Sequence, residues 1–190
     1  MLNSRAAIGY ERRRQIQIRK AFEAGLDLPD ENSRCDLTDF YLASGAYIVF
    51  SMDRLHYQDQ VIHDFLAERI PENDTDAHDC LAVLNERQDN SRAMVESFRQ
   101  SVNVLAETGA EGRESFEAAA RTFTAEFLSL MAPRKNPFHA YTDELFTDED
   151  WELVAAVSDE SIDIEKNLYS AVQTNAPAGI DPETMQIVYH

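Results

Sequence analysis

Two histidines and an aspartate lie close together in the segment 36–70: His56, Asp59 and His63. Spacings of three and four residues place these side chains on neighbouring turns of one helix face. At about 100° per residue, they fall inside the apolar stripe of that helix. The opposite face is expected to meet solvent and carries Arg54, Tyr57, Asp64 and Glu68. The pattern therefore predicts two imidazoles and a carboxylate pointing towards the protein interior.

A buried carboxylate needs a partner or a proton, because an unsatisfied buried polar group costs on the order of 1–3 kcal/mol. One interpretation is a metal site formed by His56, Asp59 and His63, for which iron, manganese or zinc is suited; a site without metal is equally open. The second is catalysis, with His56 or His63 as the base and Asp59 orienting it. The third is an internal hydrogen-bond network without a ligand.

The helix that follows is predicted to supply polar partners at the same level. If the two helices turn near residue 73, His56 faces about residue 90 and Asp59 faces about residue 87. Gln88 and Ser91 interrupt the apolar rows of the second helix at this level. We therefore expect a polar pocket that crosses two helices, with Gln88 and Ser91 as substrate-binding residues.

The segment 133–147 is long for a connection within a helical bundle and is interpreted as a lid over this pocket. Arg134, with Lys135 beside it, is expected to attract an anionic substrate. His139 is either a third imidazole of the pocket or an exposed loop histidine. On the last helix, Glu165 is either a pocket carboxylate or a solvated edge residue.

Clusters of Gly, Pro and Asn divide the chain into stretches of helical length and period. The predicted helices span about 4–24, 36–70, 75–108, 113–132 and 148–175. Asp74 or Thr75 can cap the third of these helices, and Thr147 or Asp148 the last. Short loops favour an all-α, up-down-up-down four-helix bundle with an extra N-terminal helix. The predicted organisation is a basic helical arm at 1–28, a bundle at 36–175 and a tail at 176–190.

Composition narrows the range of partners. The 190 residues carry a formal charge of −18, so we expect no nucleic-acid partner. There is no apolar run of membrane-spanning length and no hydrophobic signal core, so we expect no membrane partner and a cytoplasmic location. Residues 1–20 are locally basic. This segment is either a membrane-surface or partner-binding arm, or a helix packed across the bundle or across a second acidic subunit.

The sequence FEAAARTFTAEFLSLMAPRKNPFHAYTDELFTDEDW, from Phe116 to Trp151, resembles the hemerythrin-like (HHE cation-binding) family. The shared features are an aromatic helix, an aromatic and proline-containing connection, and a DEDW helix start. The resemblance implies a four-helix bundle that holds metal through inward His, Asp and Glu side chains. The family's HxxxE pattern is absent, since Met131 and Lys135 stand there, and any metal would use the set centred on His56, Asp59 and His63.

Two functional hypotheses follow. The first is a hemerythrin-like bundle whose polar pocket binds a metal ion or a small molecule, with catalysis left undecided. The second is a non-catalytic helical interaction protein, either a homodimer or a small subunit of a larger complex. In the second hypothesis, the basic N-terminal helix and the C-terminal tail are docking elements.

Overall fold

The computed structural model describes residues 3–28, 36–131 and 138–185, apart from the side chains of residues 128–131 and 138–140. Within these ranges the chain forms helices and turns but no strand, which confirms the all-α prediction. The helices are α1 (Ser4–Leu26), α2 (Thr38–Arg69), α3 (Thr75–Thr108), α4 (Arg113–Met131), α5 (Phe138–Leu145), α6 (Asp148–Ala155) and α7 (Asp159–Asn175). Short 3-10 turns occupy Gly109–Gly112 and Pro182–Thr184.

Side-chain caps fix several helix starts. The Asp74 carboxylate accepts a hydrogen bond from the amide of Ala77 at 3.1 Å, as predicted for α3. Thr147 and Asp150 form a reciprocal capping box at the start of α6. These caps satisfy amide groups that the first helical turn leaves without partners.

The predicted helix over 148–175 is wrong in one respect, because it is broken between α6 and α7. Ser158 accepts a hydrogen bond from the amide of Ser161 at 3.1 Å and so starts a new helix. Arg54 of α2 donates to the carbonyl oxygens of Ala155 and Ala156 at 2.8 and 2.6 Å. These carbonyls lie at the end of α6, so a tertiary contact completes the break.

Helix α2 packs against α1, α3 and α7, and α3 packs against α4. Paired side chains give the directions of the helices. From α2 to α3, Gln60 meets Arg92 and Asp53 meets Arg99, so these two helices are antiparallel. Tyr47 of α2 bonds to Glu165 of α7, and Arg54, further along α2, bonds to Ala156, which precedes α7 in the chain, so α2 and α7 are antiparallel as well.

Helix α1 is an integral part of the packed structure. Ile18, Ala21 and Phe22 are fully buried. The ring of Phe22 meets Tyr41 of α2 and Phe98 of α3, each with centroids 5.9 Å apart. Of the two interpretations of the basic segment, these contacts favour a helix packed across the others. No helix in the described ranges has the length and apolar character needed to cross a membrane.

Two apolar clusters lie at different levels along the helices. The first contains Ile18, Phe22, Tyr41, Leu55, Met94, Phe98, Phe116 and Phe123, among others. The second contains Ile8, Leu66, Ile70, Ala77, Leu81, Phe146 and Val154. Along α1, α2 and α3, the residues between the two clusters include several polar side chains that are buried or pair across helices. We call this set the polar layer: Glu11, Arg12, Gln15, His56, Gln58, Asp59, Gln88 and Ser91.

Candidate functional site

His56 faces α3 at the level that the sequence predicts. Its Nε2 atom lies 2.8 Å from the hydroxyl oxygen of Ser91, and the residue is buried. Burial lowers the pKa of His56, and the positive charge of Arg92 lowers it further, while Asp53 opposes both effects. His56 is therefore a neutral imidazole that shares a hydrogen bond with Ser91.

Asp59 and His63 have other partners. Asp59 forms an ion pair with Arg12 of α1 at 3.2 Å. Burial raises the pKa of Asp59, and three arginines oppose this rise, with Arg12 contributing most. The Nδ1 atom of His63 lies 3.2 Å from the carboxylate of its neighbour Asp64. The three residues of the predicted cluster thus point to three different sets of contacts.

Gln88 is buried in the polar layer. Only 4% of its surface is exposed, and neither its amide nitrogen nor its amide oxygen has a hydrogen-bond partner among the described residues. Such a residue is unusual, because buried polar atoms are nearly always hydrogen-bonded. The predicted lid residues Arg134 and Lys135 lie outside the described residues, and the side chain of His139 lies outside the described side chains.

In the part of the chain that the structure describes, no group of three or more His, Cys, Asp and Glu side chains is arranged to hold a metal ion. The contacts of His56, Asp59 and His63 are consistent with this finding. Their role as metal ligands or catalytic residues stays a prediction.

A pocket of about 310 Å³ lies on another side of the polar layer, between α1, α2 and α7. The lining residues are Glu11, Arg12, Gln15, Tyr47, Phe50, Ser51, Asp53, Arg54, Leu55, Gln58, Val157, Ser161, Ile162 and Glu165. We call this feature the α1–α2–α7 pocket.

Glu165 joins all three helices at one end of the pocket. Both of its carboxylate oxygens accept hydrogen bonds from Arg14, at 2.7 and 2.8 Å. The hydroxyl of Tyr47 donates to the same carboxylate at 2.8 Å. Burial and the nearby charge of Glu165 raise the pKa of Tyr47, so this phenol stays protonated. These bonds hold Glu165 in a fixed position.

The Arg14 guanidinium packs against two aromatic rings. It lies 4.8 Å from the ring centre of Tyr10 and 4.6 Å from that of Tyr169. Burial acts to lower the pKa of Arg14, but its hydrogen bonds to Glu165 and Tyr10 raise it overall. The pocket therefore adjoins a cation held by one carboxylate and two aromatic faces.

A second set of polar contacts involves Glu11, Gln58 and Arg54. Gln58 is 1% exposed, and its amide donates to one oxygen of Glu11 at 2.6 Å. The Nε atom of Arg54 lies 3.5 Å from the same oxygen. The other Arg54 nitrogens hold the carbonyls at the break between α6 and α7. Arg54 thus connects the wall of the pocket to the end of α6.

The sequence analysis placed Arg54 on the solvent face, and this prediction is wrong, because the side chain is only 17% exposed. Its terminal nitrogens bond to main-chain carbonyls, which leave no signal in the sequence. A signal did exist in α2, where Ser51, Arg54 and Gln58 follow one another at helical spacing and form a second polar row. Glu165, for which two interpretations stood open, lines the α1–α2–α7 pocket, which is not the pocket that the sequence predicts around His56.

No protein-family model, curated protein or solved structure matches the chain. The resemblance to the hemerythrin-like family therefore stays a prediction.

Proposed function

We propose that this protein binds a small organic molecule in the α1–α2–α7 pocket. The observation that carries the proposal is a pocket of about 310 Å³ whose accessible surface is mostly apolar, although many of the residues that line it are polar and are held by hydrogen bonds and ion pairs. Small-molecule sites have this composition, and their volumes begin at about 300 Å³. A ligand that fits must be compact.

The polar groups are held in place before a ligand arrives. Tyr47 and Arg14 fix Glu165, and Gln58 fixes Glu11, through hydrogen bonds of 2.6–2.8 Å. Such groups cost little additional entropy when they bind a ligand. Phe50, Leu55 and Ile162 supply the apolar surface. The pocket accordingly combines rigid polar groups with an apolar contact area.

The architecture proposed with this function is an up-down-up-down bundle formed by α2, α3, α4 and the α6–α7 pair, with α1 as the extra helix. The antiparallel contacts of α2 with α3 and α7 support this arrangement. Metal binding by His56, Asp59 and His63 is the less favoured proposal, because each of these side chains has a different partner.

A pocket-blocking variant tests the proposal. Ser161 lines the pocket, whereas Ser170 lies on the same helix and is exposed. A library of small organic fragments is screened by ligand-observed NMR against the wild type, Ser161→Trp and the control Ser170→Trp. We expect fragments that bind the wild type and Ser170→Trp but not Ser161→Trp.

The helical circular dichroism spectrum of each variant shows whether it is folded. If Ser161→Trp does not fold, Ile162→Trp replaces it. The proposal is wrong if no fragment binds the wild type, or if every binder is retained by the folded pocket-blocking variant.

A further inference from the structure

The charged side chains that line the α1–α2–α7 pocket differ in how far they are free to bind a ligand. Arg12 is paired with Asp59, and the terminal nitrogens of Arg54 bond to main-chain carbonyls. The Nε atom of Arg54 also lies 3.5 Å from one oxygen of Glu11, so both positive groups of the lining already have partners within the protein. A negatively charged ligand would have to compete with these contacts.

Glu11 is the lining carboxylate that can still accept a hydrogen bond from a ligand. Asp53 is bound through both oxygens to Arg99, and Glu165 is bound through both oxygens to Arg14. Glu11, by contrast, has described partners at one oxygen only: this oxygen accepts a hydrogen bond from Gln58 and lies 3.5 Å from the Nε atom of Arg54. Its side chain is 35% exposed, so its second oxygen is the natural partner for a donor in the pocket.

The surroundings favour a positive charge at this place. The protein has a formal charge of −18, which raises the local concentration of cations. At another carboxylate of the lining, Glu165, the fold already holds a cation, Arg14, against the rings of Tyr10 and Tyr169. Phe50, Leu55 and Ile162 offer apolar contact to the uncharged part of a ligand.

We propose that the ligand class is a compact organic cation, with an ammonium or amidinium group bound by Glu11 and an apolar body against Phe50, Leu55 and Ile162. This inference rests on the proposed function, since it assigns a ligand class to the same pocket. Glu11 supplies the charge-assisted hydrogen bond, and Gln58 holds the carboxylate in position.

Three probes of similar size separate charge from shape: phenethylammonium, the neutral 2-phenylethanol and the anion 3-phenylpropionate. Dissociation constants are measured by ligand-observed NMR at low ionic strength with the wild type, Glu11→Gln and Glu107→Gln. The last variant makes the same change in charge at an exposed position of α3. Glutamine at position 11 can still accept the hydrogen bond from Gln58.

We expect phenethylammonium to bind the wild type at least about tenfold more tightly than 2-phenylethanol, a difference typical of one charged contact. Glu11→Gln should remove this preference and leave the affinity for 2-phenylethanol unchanged. Glu107→Gln should retain the preference.

The failures of the two proposals differ. Suppose that 2-phenylethanol or 3-phenylpropionate binds as tightly as phenethylammonium and that Ser161→Trp abolishes this binding. The pocket is then a binding site as proposed, and the assignment of a cationic ligand is wrong. A cation preference that survives Glu11→Gln also overturns the assignment. If no probe binds and the fragment screen finds no ligand that Ser161→Trp excludes, both proposals fall. The wild-type ranking of the probes decides the matter even if Glu11→Gln does not fold.

Discussion

Replacing Gln88 by leucine should make this protein more stable. The amide nitrogen and oxygen of Gln88 are buried and have no hydrogen-bond partner in the part of the chain that the structure describes. A single unsatisfied polar group costs about 1–3 kcal/mol, and leucine has a similar volume without polar atoms. We therefore predict that Gln88→Leu raises the free energy of unfolding by about 1–3 kcal/mol. In a chain of this size, each kcal/mol corresponds to about 2–4 °C in melting temperature.

Gln58 offers a matched control in the same polar layer. It is as deeply buried as Gln88, at 1% against 4% exposure, but its amide donates to Glu11 at 2.6 Å. A hydrogen bond to a charged group is worth about 1.5–3 kcal/mol, so Gln58→Leu should destabilise the protein by a similar amount. The two substitutions are chemically identical, and their predicted effects have opposite signs.

Urea unfolding followed by circular dichroism, with linear extrapolation to water, measures both effects. Equal slopes of the unfolding free energy against urea for the wild type and the variants are needed for a direct comparison. The reasoning is refuted if Gln88→Leu destabilises the protein as much as Gln58→Leu does. That result would show that the Gln88 amide is satisfied in solution.

Two further substitutions test the site and its pH dependence. Tyr47→Phe removes the hydrogen bond to Glu165 and should lower the free energy of unfolding, measured with urea, by about 1.5–3 kcal/mol. The exposed control Tyr57→Phe should change it by less than about 0.5 kcal/mol. Equal effects of the two substitutions would contradict a stabilising Tyr47–Glu165 hydrogen bond. The folded state lowers the pKa of His56, so the unfolded chain takes up a proton at this residue first, near pH 6.5. As the pH falls below about 7, the wild type should therefore lose stability relative to His56→Gln. The loss should be at most about 1.4 kcal/mol per pH unit. A pH-independent difference between the wild type and His56→Gln would show that His56 does not titrate differently in the folded state.

The features that could be predicted from the sequence are those set by local rules. Helical periodicity and a short turn fix the register of α2 against α3, so His56 was expected near residue 90 and lies against Ser91. The caps at Asp74 and Thr147 follow from residue type and position. Predictions of this kind need only the order of residues along a helix.

The features that could not be predicted from the sequence depend on tertiary contacts. Ala155 and Ala156 are good helix formers, so little in the local sequence indicates that α6 ends there. The contact that completes this end comes from Arg54, about a hundred residues earlier in the chain. The α1–α2–α7 pocket needs three helices to be placed before any of its lining can be recognised.

The most direct test of the pocket is an NMR titration of the isotopically labelled protein with the tightest ligand from the fragment screen. We predict saturable shifts of backbone amide signals in three regions, 11–15, 47–58 and 157–165, which contain the lining residues. Amides of the groove between α3 and α4, which includes Ser97 and Thr122, should not move. Shifts centred on that groove, or spread evenly over the molecule, would contradict a binding site between α1, α2 and α7.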